Sequence, residues 1–209
     1  MSHTLHREGS LESLSRDYVV LAMPCQGRTI AGSGEILRRF MDMAQKYHPV
    51  NLGNSKVGNI YNLPGGYEEL WAGTMDGHIC HAVFADVEDL YGFLKDLKAA
   101  DMGISIVVSG LMDAVGECCH KTGLTPHSAN MSLGIYGRTD KLVPDDVREV
   151  TTMCGHGMVT GDLVLQKVDR IRKGRTTPEK AAKELTELCV CGIFNPERCA
   201  KLLEKMAKA

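Results

Sequence analysis

Apolar positions follow two rhythms along the first two thirds of the chain, and one rhythm after that. Residues 17–23 (DYVVLAM) are an unbroken apolar run with β-branched members, which predicts a buried strand. It breaks at Pro24-Cys25-Gln26-Gly27. Over 33–47 the spacing becomes helical, with Ile36, Leu37, Phe40, Met43, Ala44 and Tyr47 on one face and Ser33 placed as N-cap. A weaker strand is predicted at 57–63, closed by Pro64-Gly65-Gly66. Residues 78–85 set Ile79, His81 and Val83 against His78, Cys80, Ala82 and Phe84, the alternation of a strand. Asp86 caps a helix through 99 with Leu90, Phe93, Leu94 and Leu97 on one stripe. A buried strand follows at 104–109, a helix at 111–121 and a last strand candidate at 129–136. Beyond Gly137 only helices are predicted, at 144–152, 158–173, 178–188 and 196–207. Thr177-Pro178 and Asn195-Pro196 each place a polar cap before proline at the first helical position.

The order βαββαβ matches a split βαβ, ferredoxin-like sandwich, here extended by one helix and strand and followed by a helical C-terminal part. If the 57–63 strand is absent, a doubly wound open sheet is the alternative. The expected organisation is a disordered tail at 1–16, an α/β sandwich domain at 17–137 and a helical part at 138–209.

Composition narrows the function classes. Apolar residues at 44% and charged residues at 24% suffice for an ordinary globular core. A net charge of −2 without long charged runs argues against nucleic acid and against a polybasic membrane anchor. No apolar stretch approaches the roughly 18 residues that span a bilayer. The polar segment 1–16 lacks the apolar centre of a signal peptide.

The eight cysteines are the chemically informative residues. Cys118 and Cys119 are adjacent, and one residue separates Cys189 from Cys191, so bridges within either pair would close small, strained rings. Free thiols in a reducing cytoplasm are therefore expected, and clustered free thiols point to metal or redox work. Two motifs stand out. Cys154-Gly155-His156-Gly157 precedes a predicted helix whose dipole favours a thiolate. Cys189-Val190-Cys191-Gly192 joins two helices. An antiparallel hairpin of the 158–173 and 178–188 helices brings the motifs together. Cys154, Cys189 and Cys191 are the expected metal ligands, with His156 and Cys199 competing for a fourth place. An iron–sulfur cluster, 4Fe–4S in kind, is preferred to zinc because paired CxxC knuckles are missing.

A second candidate site is the glycine-rich loop after the first strand. There Arg28, Gly32 and Gly34 are placed to hold an anionic ligand. Cys118-Cys119-His120 is read as core, and His78 and His81 as polar features of a strand.

These features support a cysteine-ligated metal-centre protein engaged in redox or cluster-assisted chemistry on a small molecule, or in electron delivery to a partner protein. A non-enzymatic ligand-binding or regulatory module with structural cysteines is the alternative. A thiol enzyme with Cys154 as nucleophile and His156 as base comes third. The sequence leaves open whether the chain is an enzyme and how it oligomerises.

Overall fold

The apolar run that opens the sequence becomes an inner strand of a sheet buried on both faces. In the computed structural model, which describes residues 4–209, the strands are β1 (Tyr18–Met23), β2 (Asn51–Asn54), β3 (Gly58–Asn59), β4 (Cys80–Phe84) and β5 (Ser105–Ser109). Their order is β3-β2-β4-β1-β5 and every pairing is antiparallel. The helices are α1 (Leu11–Leu14), α2 (Ser33–Ala44), α3 (Gly66–Ala72), α4 (Val87–Ala100), α5 (Met112–Thr122), α6 (Asp145–Thr151), α7 (Gly161–Arg172), α8 (Pro178–Leu188) and α9 (Pro196–Lys208). Apart from the two-residue β3, the units β1-α2-β2 and β4-α4-β5 interleave, which is the split βαβ arrangement. The antiparallel pairings exclude the doubly wound parallel sheet.

Successive side chains on a strand point to opposite faces, so β1 serves two cores. Tyr18, Val20 and Ala22 join Ala82 and Phe84 against Leu37 and Phe40 of α2 and Phe93 of α4. Phe93 sits 5.2 Å, ring centre to ring centre, from both Phe40 and Phe84. Val19, Leu21 and Val83 face the other way, under Val150, Val164, Leu185, Phe194 and Leu203. Each such side chain contributes about 1.5–3 kcal/mol on full burial. The helical C-terminal part therefore shares a core with the sheet and forms a third layer. Within that layer α9 packs against α8 and α7, and α7 also touches α6 and α8. Thr160, Thr177 and Asn195 accept backbone N–H groups at the starts of α7, α8 and α9.

Three expectations change. The second strand lies at Asn51–Asn54, and only Gly58–Asn59 of the predicted 57–63 strand pairs. Its buried Asn residues hide it from a search for apolar periodicity. Residues 129–136 are irregular and unpaired, with Met131, Leu133 and Tyr136 exposed. Gly134 and Gly137 adopt φ of +95° and +92°, which interrupts an extended run. Finally, the expected tail is folded onto the body from Thr4 onward; residues 1–3 lie outside the described residues. Asp17, fully buried at the start of β1, requires partners, and Arg7 and Arg198 both pair with it. Thr4 Oγ1 also lies 2.7 Å from Ser109 Oγ at the end of β5. No described helix is long and apolar enough to cross a membrane.

Candidate thiol site

Cys189 ends α8 and opens the loop to α9. Its amide donates to Thr186 O (3.0 Å), and Gly192 N donates back to Cys189 O (2.9 Å), giving a tight turn. Gly192 adopts φ +76°, and a Cβ there would stand 2.5 Å from Gly53 Cα, so the loop lies directly on β2. The sheet grips this loop through polar side chains. Asn59 Nδ2 donates to Cys189 O at 2.9 Å and Asn51 Nδ2 to Phe194 O at 2.9 Å. His81 Nδ1 donates to Cys191 O at 2.7 Å.

Cys154 lies in the 153–160 loop between α6 and α7. Gly157, at φ +70°, turns the chain so that its amide meets Cys154 O at 3.1 Å. One guanidinium ties the two cysteine loops together. Arg7 Nη2 donates to Met153 O, beside Cys154, at 3.3 Å, and also to Ile193 O, two residues past Cys191.

Cys154, Cys189 and Cys191 belong to one buried core cluster, and each of the other two thiols perturbs Cys189. The Cys189 S–H is the donor. Its hydrogen bond is the largest influence lowering Cys154, to about 5 against the opposing effect of burial, and backbone N–H groups of His156, Met158 and Val159 assist. Cys191 is lowered to about 7 by the Cys189 thiol, with help from the Ile193 amide and the charge of His156. Cys189 moves strongly upward because its proton serves both neighbours. His156 Nδ1 stands 3.7 Å from Cys191 Sγ. The three cysteines are buried and His156 is exposed. As they stand, the described side chains offer no set of three or more His, Cys, Asp or Glu groups disposed as a ready metal cage.

The remaining cysteines behave differently. Cys199 is wholly buried in α9, and burial pushes its thiol far up, with Arg198 as its one electrostatic neighbour of note. Burial likewise raises Cys80 to about 12, and raises Cys118 and Cys119. All eight cysteines are free.

Two details of the expected site are corrected. The helix after Cys154 begins at Gly161, so backbone amides, rather than that helix terminus, stabilise the thiolate. The loop of Arg28, Gly32 and Gly34 is already occupied by the chain's own carboxylate. Asp76 accepts Gly32 N at 2.8 Å and Gly34 N at 2.7 Å, the position expected for an external anion, while Arg28 is exposed. Sequence patterns do not reveal the grip of His81, Asn51, Asn59 and Arg7 on the thiol loops. His81, read from the sequence as a polar feature of its strand, is instead buried with its ring on Cys191 O.

Comparison with known protein families, curated proteins and solved structures found no match to this chain.

Proposed function

We propose that Cys154, Cys189 and Cys191 ligate one metal centre, with His156 as an exchangeable fourth ligand at the surface. What supports this reading is that three cysteines from two loops, 35 residues apart in sequence, share one buried core cluster and perturb one another, with the 189–195 loop held by the sheet. Buried thiolates need a compensating cation, and metal binding would displace the proton held by Cys189. A single tetrahedral ion, which takes its thiolates about 4 Å apart, is the simpler occupant of this donor set, whereas an iron–sulfur cluster requires them to spread. Three thiolates and one imidazole form a Cys₃His set of the kind zinc takes.

In this reading the metal fastens the 153–160 loop to the 189–195 loop. The exposed His156 position is where a small molecule or a partner protein's ligand would enter. A reducing compartment such as the cytoplasm would keep the thiols available.

The test is metal and acid-labile sulfide analysis of protein purified without oxygen. About one zinc per chain and no sulfide is expected. Cys154→Ala, Cys189→Ala and Cys191→Ala should each lose the metal. Brown protein with iron and sulfide would instead support redox or electron-transfer work by a cluster, and metal-free protein would defeat the reading.

A further inference from the structure

The two edges of the sheet are finished differently. β3 is two residues long, and the end of α8 covers it: Asn59 Nδ2 donates to Thr186 O and Cys189 O, and Asn62 Nδ2 to Glu187 O. β5, at the other edge, runs for five residues, Ser-Ile-Val-Val-Ser, and pairs with β1 alone. Among the described residues, no backbone hydrogen bond reaches 105–109 from any segment other than β1. The N–H and C=O groups on its outer side are therefore open to pairing. Proteins usually guard such an edge with a charged side chain, a proline, a bulge or a covering element. Here the register with β1 is continuous, and no charge or proline occurs between Met102 and Met112. Ile106, Val107 and Val108 are half-buried, although residues 18–22 of β1 beside them are buried.

The apolar surface continues past the strand. Met112 is exposed just beyond its end, and so are Met131, Leu133, Ile135 and Tyr136, with Leu133 and Tyr136 at 82% and 81%. The N-terminal segment ties these residues to the edge, because Thr4 Oγ1 meets Ser109 Oγ at 2.7 Å and His6 Nδ1 meets Ser132 Oγ at 2.9 Å. Residues 128–137 carry no charge either. A continuous uncharged surface of this kind resembles the core of an interface, where charged residues are depleted. The five flanking side chains expose on the order of 100 Å² each. With the half-buried strand, that brings the face near the roughly 800 Å² that a stable interface takes from each partner.

We propose that β5 pairs antiparallel with β5 of a second copy about a twofold axis at Val107, joining two sheets edge to edge. The strand is nearly palindromic, and this selects a second copy as its partner. Val107 meets its own counterpart, Ile106 meets Val108, and Ser105 meets Ser109, so apolar faces apolar and hydroxyl faces hydroxyl. Ile106 and Val108 lean on the core of α2 and α4, and Val107 on the opposite core, so the same register continues both faces of the sheet. Antiparallel pairing also sets the Ser109 end of one copy beside the Ser105 end of the other. The exposed 131–136 segment of each copy then reaches the turn before the other's β5, where Met102 and Ile104 are only partly buried.

The experiment uses the full chain under reductant, which keeps the exposed Cys25 from linking copies. Sedimentation from about 1 to about 100 μM should reach the mass of two chains. Residue-resolved amide exchange on the same sample should find the outward-facing amides of 105–109 protected in the dimer. Ser105→Lys combined with Ser109→Lys sets lysine against lysine at both ends of the paired strands, and should weaken the dimer by about tenfold with circular dichroism unchanged. The matching double substitution to Glu should do the same, and mixing the two variants should restore the dimer. A monomer at about 100 μM, a dimer whose outward β5 amides exchange freely, or folded variants that associate no better mixed than alone would overturn the proposal. The measurements on the parent chain decide the matter even if a variant fails to fold. Neither reads metal, so the proposal stands or falls separately from the thiol site.

Discussion

Cys189 and Cys199 are ten residues apart, equally buried, and chemically unlike. Cys189 has two sulfur neighbours to share its proton with, whereas Cys199 has the apolar side of α9. Cys199→Ala should therefore leave metal content unchanged and lower stability by about 1–2 kcal/mol, the cost of a small cavity, read by denaturant unfolding. A single methyl group should do more at Gly192. Gly192→Ala forces a left-handed backbone on an L-residue and drives Cβ into Gly53, so a loss of at least ~2 kcal/mol is expected together with weakened metal binding. Unaltered metal affinity in that variant would mean that the docking of the loop on β2 does not position the thiols. At this scale the sequence was informative about which cysteines matter and uninformative about what holds them. A CxC on a connector and a CGHG turn are visible as strings. The carbonyl contacts of Asn51, Asn59, His81 and Arg7 join residues more than 100 positions apart and leave no local pattern.

Helix α2 starts without a side-chain cap of its own, since its N-cap is Gly32. Asp76 supplies the missing acceptor from another part of the chain, and the two amides hold its carboxyl below the usual carboxylate range. A carboxyl with a depressed folded pKa stabilises above its unfolded pKa and loses that contribution as pH falls through the folded value. Asp76→Asn should thus lower Tm at neutral pH, and the difference from the parent should shrink toward zero below the ordinary carboxylate range. A gap that persists in strong acid would show that the effect is packing, not charge. Elements with local signals were legible: α8 and α9 start at the proline that follows a Thr or Asn cap. The second strand was not, because an Asn-Leu-Gly-Asn strand buries two side-chain amides, Asn51 on Phe194 O and Asn54 on Thr74 Oγ1, beside a single leucine. The apolar 129–136 segment was misread for the converse reason, since alternation without a strand to pair with makes no sheet.

The molecule as a whole is a sheet covered on both faces, and this explains why β1 reads as a solid apolar run rather than an alternation. One helical layer is α2 and α4. The other is the C-terminal part, and the thiol site lies where that layer's loops meet the sheet. The expectation that α7 and α8 form the hairpin that gathers the cysteines holds only in part. They touch, but α9 is the element packed against both, and the N-terminal segment closes the arrangement through Arg7 and Asp17. Nothing in the polar composition of residues 4–16 announces that role, because Arg198 and Arg148, which pair with Asp17 and Glu8, lie in the C-terminal part of the chain. The central claim is that this junction binds one metal through three thiolates. X-ray absorption at the metal edge of the anaerobically purified full chain tests it most directly. The account predicts a zinc edge with about three sulfur neighbours near 2.3 Å and one nitrogen near 2.0–2.1 Å, with the sulfur shell lost in Cys154→Ala. Metal bound without sulfur neighbours, or no bound metal at all, would contradict it.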